Sequence, residues 1–133
     1  MNETYSIGGL AKAGGVGVET VRYYERRKLL NQPLRRHGRM RRYGESDLDR
    51  LRFIKRAQAA GFTLDEVEGL IQFQLEQSCS DTRAVISDKL KEVETRLAAL
   101  RSLRDELKGL YARCKSNQTD KYCPALDVLS GKE

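Results

Sequence analysis

"SIGGLAKAGGVGVETVRYYERR", residues 6–27, holds two short helical patterns separated by glycine. Ser6 is an N-cap residue, and Ile7, Leu10 and Ala11 follow it on one helical face. "GVG" at 15–17 is a Gly-rich turn. "VETVRYYERR" resumes the helical spacing, with Val18, Val21 and one of Tyr23 and Tyr24 facing inward. Two short helices on a tight glycine turn form the pattern of a helix-turn-helix. Many small helical proteins share that pattern, so it has to be weighed with the rest of the chain.

Charge adds the first independent argument. The 133 residues carry a net charge of +6. Residues 1–56 hold 14 Lys and Arg against 6 Asp and Glu, and residues 57–133 hold 11 against 13. A single arginine is ordinarily part of a solvated face. This asymmetry instead points to a polyanion partner for the first half.

Downstream, "LLNQPLRRHGRMRRYG" has no helical period, and Pro33 and Gly38 punctuate it. A small two-stranded hairpin with its tip near His37 and Gly38 fits. Helix resumes at Glu45, with Leu48, Leu51, Ile54 and Ala57 at helical spacing. After Gly61, Thr63 and Glu66 form a capping box for a helix burying Leu64, Val67, Leu70 and Ile71. From Ser80 to Arg113 there is no Pro and only Gly109, which predicts one long helix. Steps of seven from Cys79 reach Ile86, Val93, Leu100, Leu107 and Cys114, with Leu90, Leu97, Leu103 and Leu110 between them. That is a heptad seam, which a monomer would expose, so a homodimer is expected. Hydrophobic residues make up 39% of the chain with no Trp, thin for one self-contained core.

The seam also organises the cysteines. Cys79 and Cys114 are five heptads apart, about 52 Å along a continuous helix. One ion cannot bind both in one chain. In an antiparallel coiled coil, Cys79 of one chain meets Cys114 of its partner, twice per dimer. Cys123 returns on an eight-residue loop to its own Cys114. Cys79 falls in a helix first turn beside Ser78 and Asp81, where the dipole favours an anion. Cys123 precedes Pro124, a favoured first helical residue, and so caps a short helix "PALDVL". Cys114 sits at a helix C-terminus, flanked by Arg113 and Lys115. The plainer reading, small hydrophobes on the seam, leaves Cys123 unexplained.

Three thiolates suit a thiophilic ion. Structural zinc prefers four ligands, and His37, the single histidine, falls in the hairpin. Hg(II) fits best, with Pb(II), Cd(II) and As(III) as alternatives. No organic cofactor is implied.

"SIGGLAKAGGVGVETVRYYERRKLL", "RRYGESDLDRLRFIKRAQAAGFTLDEV" and the long helix ending in "C…CP" resemble the MerR family of metal-responsive regulators. Nearly the whole chain takes part. Cysteine rather than serine at position 79 is similar to the family's mercury-sensing branch. The resemblance implies a mainly α fold: a winged helix-turn-helix over 1–75, a dimerisation coiled coil over 76–113, and a metal-binding loop with a short helix over 114–133. It implies a homodimer on a palindromic duplex DNA operator. The apo dimer represses, and the metal-bound dimer underwinds the promoter so that RNA polymerase initiates. Arg22, Tyr23 and Tyr24 match the family's phosphate-contacting "RYY", with one of the two tyrosines expected in the core. Glu19 and Thr20 match the groove-facing start of the recognition helix, and Arg39, Arg42 and Tyr43 match the wing. Arg and Tyr donors fix register on phosphates, while the helix N-terminus reaches base edges. Lys28 stands where many relatives have glycine, which puts a cost on the turn after the recognition helix.

Other classes fare worse. An enzyme is not expected, because no Ser-His-Asp set occurs and the one His is far from every Cys. A redox regulator with a Cys114–Cys123 disulfide shares the DNA module but needs no metal. A zinc-stabilised or metal-buffering coiled coil leaves the basic first half unexplained. No apolar run spans a membrane and no signal pattern opens the chain, so a cytoplasmic protein with reduced thiols is expected. An odd cysteine count also argues against a disulfide framework.

Overall fold

A computed structural model of the chain describes residues 4–33, 42–118 and 121–131. The expected hairpin about His37 and Gly38, including Arg39, lies outside the described residues. Helices α1 (Ile7–Gly14), α2 (Val18–Arg26), α3 (Glu45–Ala59), α4 (Leu64–Glu76), α5 (Cys79–Ser116) and α6 (Pro124–Leu129) make the fold mainly α. Contacts divide the chain into two compact units, Met1–Arg83 and Ala84–Glu133.

In the first unit, each helix boundary has a local cause. Ser6 Oγ accepts from Gly9 N at 3.1 Å to start α1, and Gly15 closes it at φ 71°. A Cβ at Gly14 would lie 2.4 Å from Leu51 Cδ2, so glycine lets α1 lie directly on α3. Lys55 Nζ reaches across to donate to Gly15 O at 2.9 Å. Thr63 and Glu66 form the expected capping box of α4, at 3.2 and 2.9 Å. Asp47 accepts from Gly44 N at 2.8 Å to start α3.

The end of α2 is a left-handed cap. Lys28 adopts φ 60°, and Leu29 N donates to Tyr24 O at 2.9 Å. That geometry is a Schellman-type closure, in which glycine is the usual residue. It aims Leu29 and Leu30 into the core at 2% and 3% exposure. Leu10, Val21, Leu51, Ile54 and Val67 are buried beside them. Each such side chain contributes about 1.5–3 kcal/mol on burial. Tyr5 and Tyr43 form an antiparallel bridge, with N···O distances of 2.7 and 2.8 Å, joining the chain before α1 to the chain before α3.

The second unit contains most of α5, which extends past the expected Arg113 to Ser116. Its heptad stripe is exposed among the described residues. Ile86, Leu90, Val93, Leu97, Leu100, Leu103 and Leu107 range from 44% exposed at Leu97 to 62% at Leu100. Beyond α5, the short α6 begins with Pro124 and buries Ala125.

Candidate functional site

Two of the three cysteines meet within one chain. Cys114, near the end of α5, and Cys123, the N-cap residue of α6, bring their sulfurs to 3.7 Å. Asn117 holds the connecting loop by donating from Nδ2 to Tyr122 O at 2.6 Å. The start of α6 then acts on the sulfurs. The Leu126 amide, with a lesser part from the Cys114 thiol, lowers the Cys123 pKa below the ordinary thiol value. Its hydrogen bond to Cys123, helped by partial burial, raises that of Cys114. The two sulfurs of the pair are therefore unlike, Cys123 being the one that ionises more readily.

The spacing also tests the fit of a metal. With thiolate–metal bonds of about 2.3 Å, two sulfurs 3.7 Å apart subtend roughly 107° at a shared ion. That angle suits three or four ligands and not a linear pair. Among the described residues, however, no group of three His, Cys, Asp or Glu side chains is gathered to hold an ion. Cys79 opens α5, where Ser78 Oγ donates to Asp81 Oδ2 at 2.6 Å. It is exposed.

The basic half presents its own surface. Along α2, Glu19, Arg22, Tyr23 and Arg26 are exposed at helical spacing, and Thr20 is half-buried. Glu19 and Arg22 pair at 3.6 Å, both largely in solvent. Tyr23 keeps 41% of its surface exposed. The guanidinium carbons of Arg26 and Arg27 lie 5.7 and 6.0 Å from its ring centre.

The other aromatic residues expected at DNA lie inside. Tyr24 is 5% exposed, and its hydroxyl donates to Gln58 Oε1 at 2.5 Å. It is the member of the tyrosine pair that joins the core, and burial raises its pKa. Tyr43, read from the sequence as a wing contact, is 2% exposed and donates to Glu25 Oε1 at 3.0 Å. A large ring with its one polar atom satisfied is worth more packed than solvated, so Tyr43 is a core residue and not a surface contact. Arg42 is exposed but engaged, donating from Nη2 to Thr4 O at 3.0 Å and to Thr4 Oγ1 at 3.1 Å.

Sequence reading passed over Arg27 and Asp65. Arg27 Nη1 donates to Tyr23 OH at 3.2 Å, and Arg27 Nη2 pairs with Asp65 Oδ1 at 2.6 Å. Asp65 is 38 positions away on α4, so no spacing rule joins it to α2. The one signal was its place in the first turn of a capped helix.

Residues 5–74 match the family model for the MerR HTH family regulatory protein, and residues 48–110 match the model for MerR, DNA binding. The chain is 39% identical to the mercuric resistance operon regulatory protein of Pseudomonas fluorescens over 129 residues, covering 97% of this chain and 90% of that one. Among solved structures, the transcription regulator PbrR691 from Ralstonia metallidurans CH34, in complex with lead(II), aligns with a TM-score of 0.79 at 37% identity. That alignment covers 92% of this chain and 97% of that one. The dual function transcriptional regulator MerR of Bacillus megaterium MB1, in complex with mercury(II), aligns with a TM-score of 0.70 at 29% identity, covering 95% and 99%.

Proposed function

This chain belongs to the MerR family of helix-turn-helix regulators, and from that premise we propose that it is a homodimer controlling a metal-resistance promoter in response to Hg(II). Membership makes it a metal-responsive, DNA-binding transcription regulator and not an enzyme. The observation that carries the finer reading is the Cys114–Cys123 sulfur pair at 3.7 Å, bent for a third ligand that its own chain does not supply among the described residues. Cys79 of a second copy supplies it. The uncovered stripe from Ile86 to Leu107 supports that second copy, since an antiparallel seam puts the start of one α5 beside the end of the other.

In this reading, Cys79, Cys114 and Cys123 hold the ion as thiolates, a soft donor set suited to mercury. Glu19 and Thr20 face base edges, while Arg22 and Tyr23 grip phosphates. Arg39 and Arg42 extend the contact along the wing, and the buried Tyr24 and Tyr43 set the backbone that carries them. The apo dimer occupies a palindromic operator and represses. Metal ties α5 of one chain to the loop of the other, favouring a dimer state that underwinds the promoter for RNA polymerase. A ligand shifts the equilibrium only through contacts that differ between the two states, and a bond between chains is such a contact.

A second reading has a specific support: the neighbour aligned at a TM-score of 0.79 is a complex with lead(II). Titrating the reduced dimer separately with Hg(II), Pb(II), Cd(II) and As(III) decides between them. Thiolate-to-metal ultraviolet absorption reports binding, and competition ranks the ions. The mercury reading predicts two ions per dimer and displacement of lead by mercury at equal concentrations. Tighter retention of lead would replace it. Loss of two thiols per chain to mild oxidant, with no metal response, would instead favour the dithiol redox regulator.

A further inference from the structure

Tyr23 stands on the exposed face of α2 with its hydroxyl oxygen already in use. Arg27 Nη1 donates to that oxygen at 3.2 Å. A phenol has one proton to give. With a guanidinium N–H on the oxygen, the O–H is left to donate, and the residue is 41% exposed. Arg26 and Arg27 lie within about 6 Å of the ring centre, so the field around that donor favours an anion.

Arg27 is itself held. Its second terminal nitrogen pairs with Asp65 Oδ1 at 2.6 Å, and the Arg27 side chain is only about a third exposed. Asp65 therefore fixes a planar fork whose other tine sets the tyrosine hydroxyl. It reaches from α4 to do so, within the same compact unit.

The geometry points to Asp65 as a positioning residue for DNA binding, orienting the Tyr23 hydroxyl toward a backbone phosphate through Arg27. The inference rests on the DNA-binding reading of α2. It also makes a prediction opposite in sign to simple electrostatics. An acidic side chain near a DNA-facing surface repels phosphate, so removing its charge should tighten binding. Here Asp65→Asn releases Arg27, frees the tyrosine rotor and weakens binding.

The probe is a fluorescent mixed-sequence duplex of about 30 base pairs at low salt, since phosphate contacts are sequence-independent. Wild-type dimer, Asp65→Asn, Tyr23→Phe and the double variant are compared by anisotropy, with thermal unfolding recorded for each. Asp65→Asn should bind about tenfold more weakly, as expected for loss of an oriented hydrogen bond to a charged group. Arg27→Lys keeps the charge but not the fork, and should lose a similar amount. In the Tyr23→Phe background, Asp65→Asn should lose its penalty and bind equally or slightly tighter. Wild-type protein that ignores duplex DNA would remove the DNA-binding reading and this inference together. Wild-type binding with an Asp65→Asn variant as tight or tighter would overturn the relay alone. So would an equal penalty in the Tyr23→Phe background, which would make Asp65 a support of α4 only.

Discussion

Cys114 and Cys123 bring their sulfurs to 3.7 Å, and the Leu126 amide of α6 favours negative charge on the Cys123 sulfur. The two sulfurs of one pair are thus chemically unlike before any metal arrives. At pH 7, below the ordinary thiol pKa, a depressed pKa means a larger thiolate fraction, and thiolate is the alkylated species. Iodoacetamide in limiting amount should label Cys123 well before Cys114, read by peptide mass spectrometry of the reduced apo protein. Raising the pH above about 9 should narrow the difference as both sulfurs ionise. Preferential labelling of Cys114 at pH 7 would mean that the N-terminus of α6 does not govern the pair.

Leu100, 62% exposed, lies mid-way along the uncovered stripe of α5. Burying each such leucine in a seam contributes about 1.5–3 kcal/mol. Leu100→Asp would put two unpaired carboxylates into one interface, a cost above that gain. Light scattering should show a monomer at micromolar concentration, and duplex binding should fall with it. A Leu100→Asp dimer of normal DNA affinity would mean that the seam lies elsewhere.

Lys28 at φ 60° is a side chain in a conformation that favours glycine. The Leu29 N to Tyr24 O bond and the burial of Leu29 hold it there. Lys28→Gly removes the left-handed strain while adding freedom to the unfolded chain, and the first effect wins at such positions. The substitution should stabilise the protein by about 0.5–1 kcal/mol per chain, the left-handed cost of about 1–2 kcal/mol less glycine's added freedom in the unfolded chain. Thermal unfolding at fixed protein concentration measures it. An unchanged or lower midpoint would show that the Lys28 side chain contributes contacts that outweigh the strain.

The sequence shows these features to different depths. Ser6, and Thr63 with Glu66, follow from local rules, because caps are settled within a few residues, while the cost at Lys28 comes from the resemblance to the family. The stripe from Ile86 to Leu107 is equally plain, since a heptad is a one-dimensional pattern. Tyr43 is harder. Nothing local separates a wing tyrosine that touches DNA from one that packs inward, and its partner Glu25 lies 18 residues back. The Arg27–Asp65 pair is harder still, because only the packing of α4 brings those positions together. The proposed metal site lies between these cases. The Cys114–Cys123 approach closes over one short loop and was legible, while the proposed third ligand would come from a second chain.

Arg22 is exposed on α2 and pairs only loosely with Glu19, at 3.6 Å between groups largely in solvent. Such a pair is worth little, so its guanidinium is available to phosphate. Arg22→Ala should weaken binding to operator and to nonspecific duplex by similar factors. It should also flatten the plot of log affinity against log salt, by about one unit for each phosphate no longer neutralised. Loss confined to operator would assign Arg22 to base edges instead.

Cys79→Ser separates holding the metal from responding to it. The change leaves the Cys114–Cys123 pair intact on its own loop and replaces the proposed cross-chain thiolate with a hard, poorly ionised hydroxyl. The pair can still capture Hg(II) as two sulfurs, but its spacing must widen, since a linear ion with bonds of about 2.3 Å needs the sulfurs near 4.6 Å. The ultraviolet thiolate band should therefore change in shape rather than vanish, and affinity should drop. The DNA-binding helices carry none of the change, so apo operator binding and repression should survive. Activation should not, because no bond now joins the start of one α5 to the loop of the other. In vitro transcription from an operator-bearing promoter, with and without Hg(II), gives the reading. Repression without induction is the expected result. Full induction by Cys79→Ser would show that two sulfurs on one loop are enough to move the dimer, and that Cys79 belongs to the packing of the seam.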